Sequence, residues 1–320
     1  MKTAYLVFAY KNPNLLERVI GRLSSENCAF FTHIDKKVAI EEFSNIQGAN
    51  VFFSEERLPV YWAEFSGIQA ILLLLRQALR GPQSYDYFVL LSGSEYPIRS
   101  GRYIHKFLEE NRGQEFLNIV KMPNEAAGKP ISRINTLRMQ SSKPYRRFAT
   151  RVMAKMGLAQ RDYKKYLGNM EPYAGNTWWA LSKDACKYIV EFVERSPRVE
   201  EFFQNVFAPE ETFFHTILGN SPFRSRIRRN LVYEDWSTQG AHPAMINDQH
   251  VRFFEAHEKV EINDVYGSGE LLFARKFSDD GLDLLERIDA MIKRKEGNSL
   301  RRAQPTGASE ATLPGTLTIP

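Results

Sequence analysis

Three short segments carry side chains whose types and spacing suit chemistry. In APEETFFHTILGN, residues 208–220, Pro209 opens a helix and puts Glu210 and Glu211 in its first turn, where the macrodipole favours carboxylates. That is reason enough for one of them. The other is placed to act as a general base, which needs a carboxylate within hydrogen-bond reach of a reacting hydroxyl. The pattern does not choose between the two. In LLFARKFS, residues 271–278, Arg275 and Lys276 sit among Phe273 and Phe277. A basic pair is more often a solvated feature, but cations held on an apolar frame suit a diphosphate leaving group. In VLLSGSEYPIRS, residues 89–100, a hydrophobic strand ends in small polar residues, an acid and a proline. Ser92, Gly93 and Glu95 then reach the carboxyl edge of a sheet, where open α/β sheets bind ligands. A tight turn followed by a helix cap explains the same residues about as well. Asp35, closing FFTHID, and the loop Tyr10–Asn12 arrive at the same edge, so three polar strand ends point at one crevice.

Other chemistries lack their residues. No D-x-D tripeptide occurs, and the six histidines form no H-E-x-x-H and no cysteine-backed pair, so a dedicated metal cage is not expected. The glycines around Ser268 lack the third glycine of a dinucleotide loop and lie far from the first strand. G-x-S-x-G is absent, which leaves a serine hydrolase without its nucleophile elbow. Two cysteines, Cys28 and Cys186, exclude a disulfide framework and are expected as buried thiols in a reducing compartment.

The elements that must position these residues alternate in the first half. TAYLVFAY (3–10), AFFTHID (29–35), VFF (51–53) and YFVLLS (87–92) read as strands. The first is followed by Asn12-Pro13-Asn14, a turn-and-cap signal, and then by LLERVIGRL at helical spacing. FSGIQAILLLLRQAL (65–79) is apolar nearly all round and reads as a buried helix. Strand–helix alternation implies an α/β fold with a mostly parallel central sheet and flanking helices. The opening MKTAYLVFAY alternates with tyrosines and lacks a small-x-small site, so it is read as a strand, not a signal peptide. The longest aliphatic run, Ile71–Leu75, is too short to span a bilayer.

Beyond about residue 120 the pattern loosens. Lys143, Arg146, Arg147, Arg151, Lys155, Arg161, Lys164 and Lys165 are opposed only by Asp162, and Phe148, Val152 and Met156 fall at helical spacing opposite the charges. A strand at 176–182 and a helix at 183–195 resume order, and a helix at 282–294 precedes a tail rich in Pro, Gly, Ser and Thr. We therefore expect one domain over 1–296, its pattern changing near residue 120, and a disordered tail at 297–320. Trp178, Trp179 and Trp236 suit stacking on sugar faces, although a strand tryptophan pair more often belongs to a core. Glu234 and Asp235 beside Trp236 form a hydroxyl-binding cluster.

FFTHIDKK, the VYW of 60–62, YFVLLSGSEYPIRS, GNTWWALS, PEETFFHTILGNSPF and LLFARKF, in that order, resemble the core-2/I-branching β-1,6-N-acetylglucosaminyltransferase and peptide O-xylosyltransferase family over about residues 3–280. The PEETFFHT and FARKF segments are more similar to the xylosyltransferase branch. The resemblance implies a GT-A-like, Rossmann-like glycosyltransferase fold, with a nucleotide-sugar half at 1–120 and an acceptor and catalytic half at 121–296 where Trp178, Trp179, Asp235 and Trp236 would meet the acceptor, and an inverting enzyme that works without the metal-binding D-x-D. It implies Glu211, the glutamate of P-x-E, as catalytic base, and Lys276 with Arg275 on the donor diphosphate. It implies Asp35 at the nucleoside and Ser92 and Glu95 near the donor sugar, with Glu95 standing where the family usually has Asp. The lack of a cysteine-bonded scaffold and membrane anchor implies a bacterial-type cytoplasmic member, peripheral on the inner membrane face.

The expected function is transfer of a sugar from a UDP-sugar, GlcNAc first and xylose next, to a hydroxyl of a glycan, lipid-linked glycan or peptide, with no cofactor or metal. The alternative is a non-catalytic protein binding an anionic glycan or membrane surface through residues 143–165. Nucleic acid is a poor partner, because 43 Lys+Arg against 38 Asp+Glu leave only +5 over 320 residues.

Overall fold

The computed structural model describes residues 1–81, 83–138, 144–238, 240 and 242–303. Its centre is a seven-stranded sheet of β1 (Thr3–Ala9), β2 (Cys28–Ile34), β3 (Val51–Phe53), β4 (Tyr87–Ser92), β6 (Glu115–Leu117), β9 (Trp179–Ser182) and β10 (Ile227–Arg228), in the order β10-β6-β9-β4-β1-β2-β3. β1 pairs in parallel with β2 and β4, and β3 continues the parallel set beyond β2. β9 is the exception, antiparallel to both β4 and β6. β1 and β2 are buried along almost their whole length, which is why they read as continuous hydrophobic runs without alternation. The mostly parallel α/β expectation holds.

The helices are α1 (Pro13–Leu23), α2 (Ser66–Arg80), α3 (Gly101–Glu110), α4 (Ser132–Asn135), α5 (Pro144–Lys155), α6 (Lys164–Leu167), α7 (Lys183–Arg195), α8 (Pro197–Phe203), α9 (Phe213–Gly219), α10 (Asp248–Ala256) and α11 (Leu282–Ala303). α2 is buried from Ile68 to Ala78 on most of its surface, lies on β1 and β2 and packs against α7. Asp289 of α11 takes Arg18 and Arg22 of α1 at 2.6 and 2.5 Å and the Tyr96 hydroxyl at 2.8 Å. That cluster ties the last helix to the first.

A second sheet decides the site. β5 (Glu95–Pro97), β11 (Val232–Glu234) and β14 (Phe273–Arg275) associate with β14 in the middle, antiparallel to β5 and parallel to β11. Two small ribbons complete the set, β7 (Val120–Lys121) with β8 (Tyr173–Ala174) and β12 (Glu261–Asp264) with β13 (Gly267–Glu270).

Three expectations change. Pro209–Glu211 is a separate 3₁₀ turn and the α-helix begins only at Phe213. The strand expected at 176–182 starts at Trp179, so Asn176, Thr177 and Trp178 are loop. The last helix runs through residue 297 to Ala303, so no tail begins there. Residues 304–320 of the expected tail, and Lys143 of the basic stretch, lie outside the described residues.

Candidate active site

The first wall of the site is built from the carboxyl ends of β1, β2 and β4. Asn12 takes left-handed backbone, φ 59°, which asparagine tolerates better than most residues. Its side chain does not cap α1. Its Nδ2 donates instead to the Gly93 carbonyl at 2.9 Å, pinning the loop after β1 to the loop after β4. Gly93 has no room for a side chain, because a Cβ there would stand 2.9 Å from the Lys11 carbonyl oxygen. Asp35, at the tip of β2, accepts from the Lys37 backbone at 2.9 Å and its ammonium at 2.5 Å. That ammonium lies 4.6 Å from the centre of the Tyr61 ring. Behind it, burial lowers the His33 pKa, and its Nε2 accepts from the Leu58 amide at 2.9 Å, so the ring is neutral.

The opposite wall carries the glutamates. Ala63 and Ala208 both hold left-handed backbone, φ 57° and 48°, and the Ala208 amide donates to the Ala63 carbonyl at 3.2 Å. Alanines in this region are strained and persist only where neighbours hold them. Here they aim the Pro209–Glu211 turn at the cavity. Lys129 Nζ and Arg133 reach Glu211 Oε2 at 2.5 and 2.6 Å. Both cations take the same oxygen, and among the described residues no protein donor contacts Oε1. Glu210 has no such partners. Its Oε2 is sealed from solvent without a hydrogen bond, and burial, followed by the charge of Glu211, pushes its pKa up to about 7.

The third component is the β14 end. The strand register sets Arg275 opposite Glu95 on one side and Glu234 on the other. Its Nε lies 2.9 Å from Glu95 Oε1, an ion pair without hydrogen-bond alignment, and it donates to Glu234 Oε1 at 3.2 Å. The guanidinium lies 4.3 Å from the Trp178 ring centre, and Trp178 stacks on Phe8. Lys276 differs, since no carboxylate of the described residues pairs with it. Burial and then Arg275 and Lys11 lower its pKa.

These walls enclose a cleft of about 630 Å³. Asp35, Ser92, Trp178, Glu210, Glu211, Trp236, Arg275 and Lys276 all line it. A second pocket of about 300 Å³ adjoins it, with Lys129, Arg229 and Tyr266 in its wall. Arg133, Asn176, Glu211, Glu234 and Trp236 line both. Glu211 therefore stands on the boundary between two cavities, able to serve a molecule in each. Among the described residues no three His, Cys, Asp or Glu side chains converge as a metal site would require.

Three candidates are placed elsewhere. Glu95 is buried outside the cleft lining, accepting from the Ser92 amide and, at 2.8 Å, from its hydroxyl. Its carboxylate reaches Ser92 and Arg275 and so positions both. Trp179 points into the core against Phe214. Asp235 accepts from His250 at 2.9 Å and the Ser237 amide at 2.8 Å, outside both cavities. It anchors the loop carrying Trp236. The fold also brings in Lys129, Arg133 and His242, for which the sequence holds no local signal. Lys11 lies in the Tyr10–Asn12 loop, and Lys37, Tyr61 and Trp62 lie in the FFTHIDKK and VYW motifs, which assign them no role.

The family model described as "Core-2/I-Branching enzyme" matches residues 3–258. Among curated relatives, rat xylosyltransferase 2 (Rattus norvegicus) is 24% identical over 245 residues, covering 74% of this chain and 27% of its own length. Human xylosyltransferase 2 (Homo sapiens) is 25% identical over 229 residues, covering 69% of this chain and 25% of its own. The chain thus spans about a quarter of the length of these relatives. A solved structure titled as the apo form of the bifunctional glycosyltransferase WbbM aligns with a TM-score of 0.41 and 12% identity, covering 92% of this chain and 51% of that one. Arg275 and Lys276 lie beyond the matched residues, so their place in the site is known from geometry alone. Because the match takes in every strand of the central sheet and both glutamates of the cleft, the chain belongs to the Core-2/I-Branching enzyme family.

Proposed function

We propose that the protein transfers a sugar from a UDP-sugar to a hydroxyl of a glycan, lipid-linked glycan or peptide, with inversion at the anomeric carbon and without a divalent metal. The position of Glu211 on the boundary of the two cavities carries this reading. The larger cleft would hold the donor, with the nucleoside toward Asp35, and the smaller pocket the acceptor. Direct displacement needs a base on the acceptor side and charge compensation where the diphosphate departs. Lys129 and Arg133 fix one oxygen of Glu211 and leave the other to take the acceptor proton. Lys276, with Lys11 also lining the cleft, supplies positive charge not committed to a carboxylate of the described residues. Arg275 is already engaged by Glu95 and Glu234, so its part is to frame the donor site. The relatives' names favour UDP-xylose, and UDP-GlcNAc is the other donor to test.

The test is a UDP-sugar panel in excess EDTA, read by thermal shift for binding and by UDP release for turnover. One donor should raise the melting midpoint and be turned over with metal chelated. Glu211→Gln should cut turnover ~10²- to 10⁴-fold and keep the binding shift. Near-normal turnover by Glu211→Gln, or activity lost in EDTA and restored by manganese, overturns the reading.

A further inference from the structure

The chain before α5 and the chain after it meet at one point. The Leu137 amide donates to the Ala159 carbonyl and the Arg161 amide to the Asn135 carbonyl, each at 2.7 Å, and Thr136 bridges Gln160. α5 stands on this stalk. Three large apolar residues of α5 and one in the turn after it are exposed: Tyr145 65%, Phe148 70%, Val152 39% and Met156 65%. They are spaced by three, four and four residues, which aligns them along one face of the helix. Leu158, just beyond, is 60% exposed. α2 and α7, by contrast, bury their apolar residues. An apolar stripe of this extent left in water marks an interaction surface.

The charge around the stripe identifies the partner. Lys155 is exposed beside the stripe, and the sequence of α5 carries further arginines at 146, 147 and 151. No acidic residue occurs between 126 and 161. Arg161 takes no part, because it turns inward to the Phe202 and Asn205 carbonyls at 3.1 Å. An aromatic and aliphatic face flanked by cations alone matches the boundary of a bilayer, where acyl chains meet anionic headgroups.

We propose that α5 is an interfacial helix that docks the protein on an anionic membrane surface. The apolar stripe enters the headgroup boundary and the basic flanks lie along it. The stalk begins directly after α4, whose Arg133 holds Glu211, and Arg138 lies over the Phe207 ring of the cleft wall. Docking therefore anchors the segment next to the Glu211 side of the site. The binding claim stands independently of the transferase reading.

The test is flotation of the full chain with vesicles of phosphatidylcholine alone or mixed with phosphatidylglycerol. Binding is expected to the mixed vesicles, weakening as salt is raised, and at least tenfold poorer to phosphatidylcholine. Phe148→Glu with Met156→Glu should lower binding about tenfold or more, and Lys155→Glu should lower it less. All these positions are exposed, so circular dichroism and the melting midpoint should not change. The proposal is overturned if the unaltered chain does not float with anionic vesicles, or if the substituted chains float as well as it does. It is also overturned if light scattering finds a dimer that Phe148→Glu with Met156→Glu dissociates, since the stripe then joins two copies.

Discussion

Glu210 and Glu211 are adjacent and chemically alike, yet the fold gives them opposite surroundings. Glu211 is held by two cations, whereas Glu210 keeps a sealed oxygen with no partner. Glu211 lines both cavities and is the base proposed above, while the raised pKa of Glu210 has a consequence for stability. A carboxyl near 4.5 in the unfolded chain and about 7 in the fold binds more protons when native between those values. Its favourable contribution is thus complete below pH 4.5 and is lost as pH rises through about 7. Glu210→Gln should raise the melting midpoint by ~3 °C at pH 8, with the gain vanishing near pH 4. Turnover of that variant should stay within about tenfold of the parent, far above Glu211→Gln. A collapse equal to that of Glu211→Gln would move the base to Glu210.

Among the elements, α1 shows how a local signal can be right about position and wrong about partner. Asn12-Pro13 does start the helix, but Asn12 is drawn to Gly93 and the exposed amides of the first turn are met from far along the chain. Asp279 accepts from Leu15 at 2.8 Å and from Asn14 at 3.4 Å. Asp279→Ala should cost ~1 kcal/mol, the usual value of a cap, and lower the urea midpoint with little change in slope. An unchanged midpoint would show that solvent satisfies those amides equally well. The β5–β14–β11 sheet makes the same point for the site. Its register alone sets Arg275 between Glu95 and Glu234, whereas Lys276 pairs with no carboxylate of the described residues. Neither segment contains any sign of the other.

At the scale of the whole molecule the two expected halves are interlocked. β9, from the second half, lies between β4 and β6 of the first, and β14 pairs with β5. The buried apolar residues form one cluster running from Ala4 to Ile292. A chain ending at residue 120 would expose the flanks of β4, β5 and β6, and unpaired backbone in a buried sheet is costly. We expect the 1–120 fragment to lack cooperative thermal unfolding and near-ultraviolet circular dichroism. A sharp transition in the fragment would restore the two-half description.

The sequence by itself determined the parallel strands, the buried α2, the family, and Asp35, Ser92, Glu211, Arg275 and Lys276 as residues of one crevice. The strands, α2, Asp35 and Ser92 rest on local order: runs of β-branched and aromatic residues, helical periodicity, and strand ends that an open α/β sheet gathers on one edge. The family, and Glu211, Arg275 and Lys276 as site residues, rest on the ordered set of motifs that carries the resemblance. Tertiary structure alone decided which carboxylate each cation serves, that Glu95 and Trp179 face inward, that Lys129 and Arg133 grip Glu211, and that the apolar stripe of α5 faces solvent. Pairing between residues dozens to hundreds of positions apart depends on strand register and packing, and neither leaves a periodic trace in the chain.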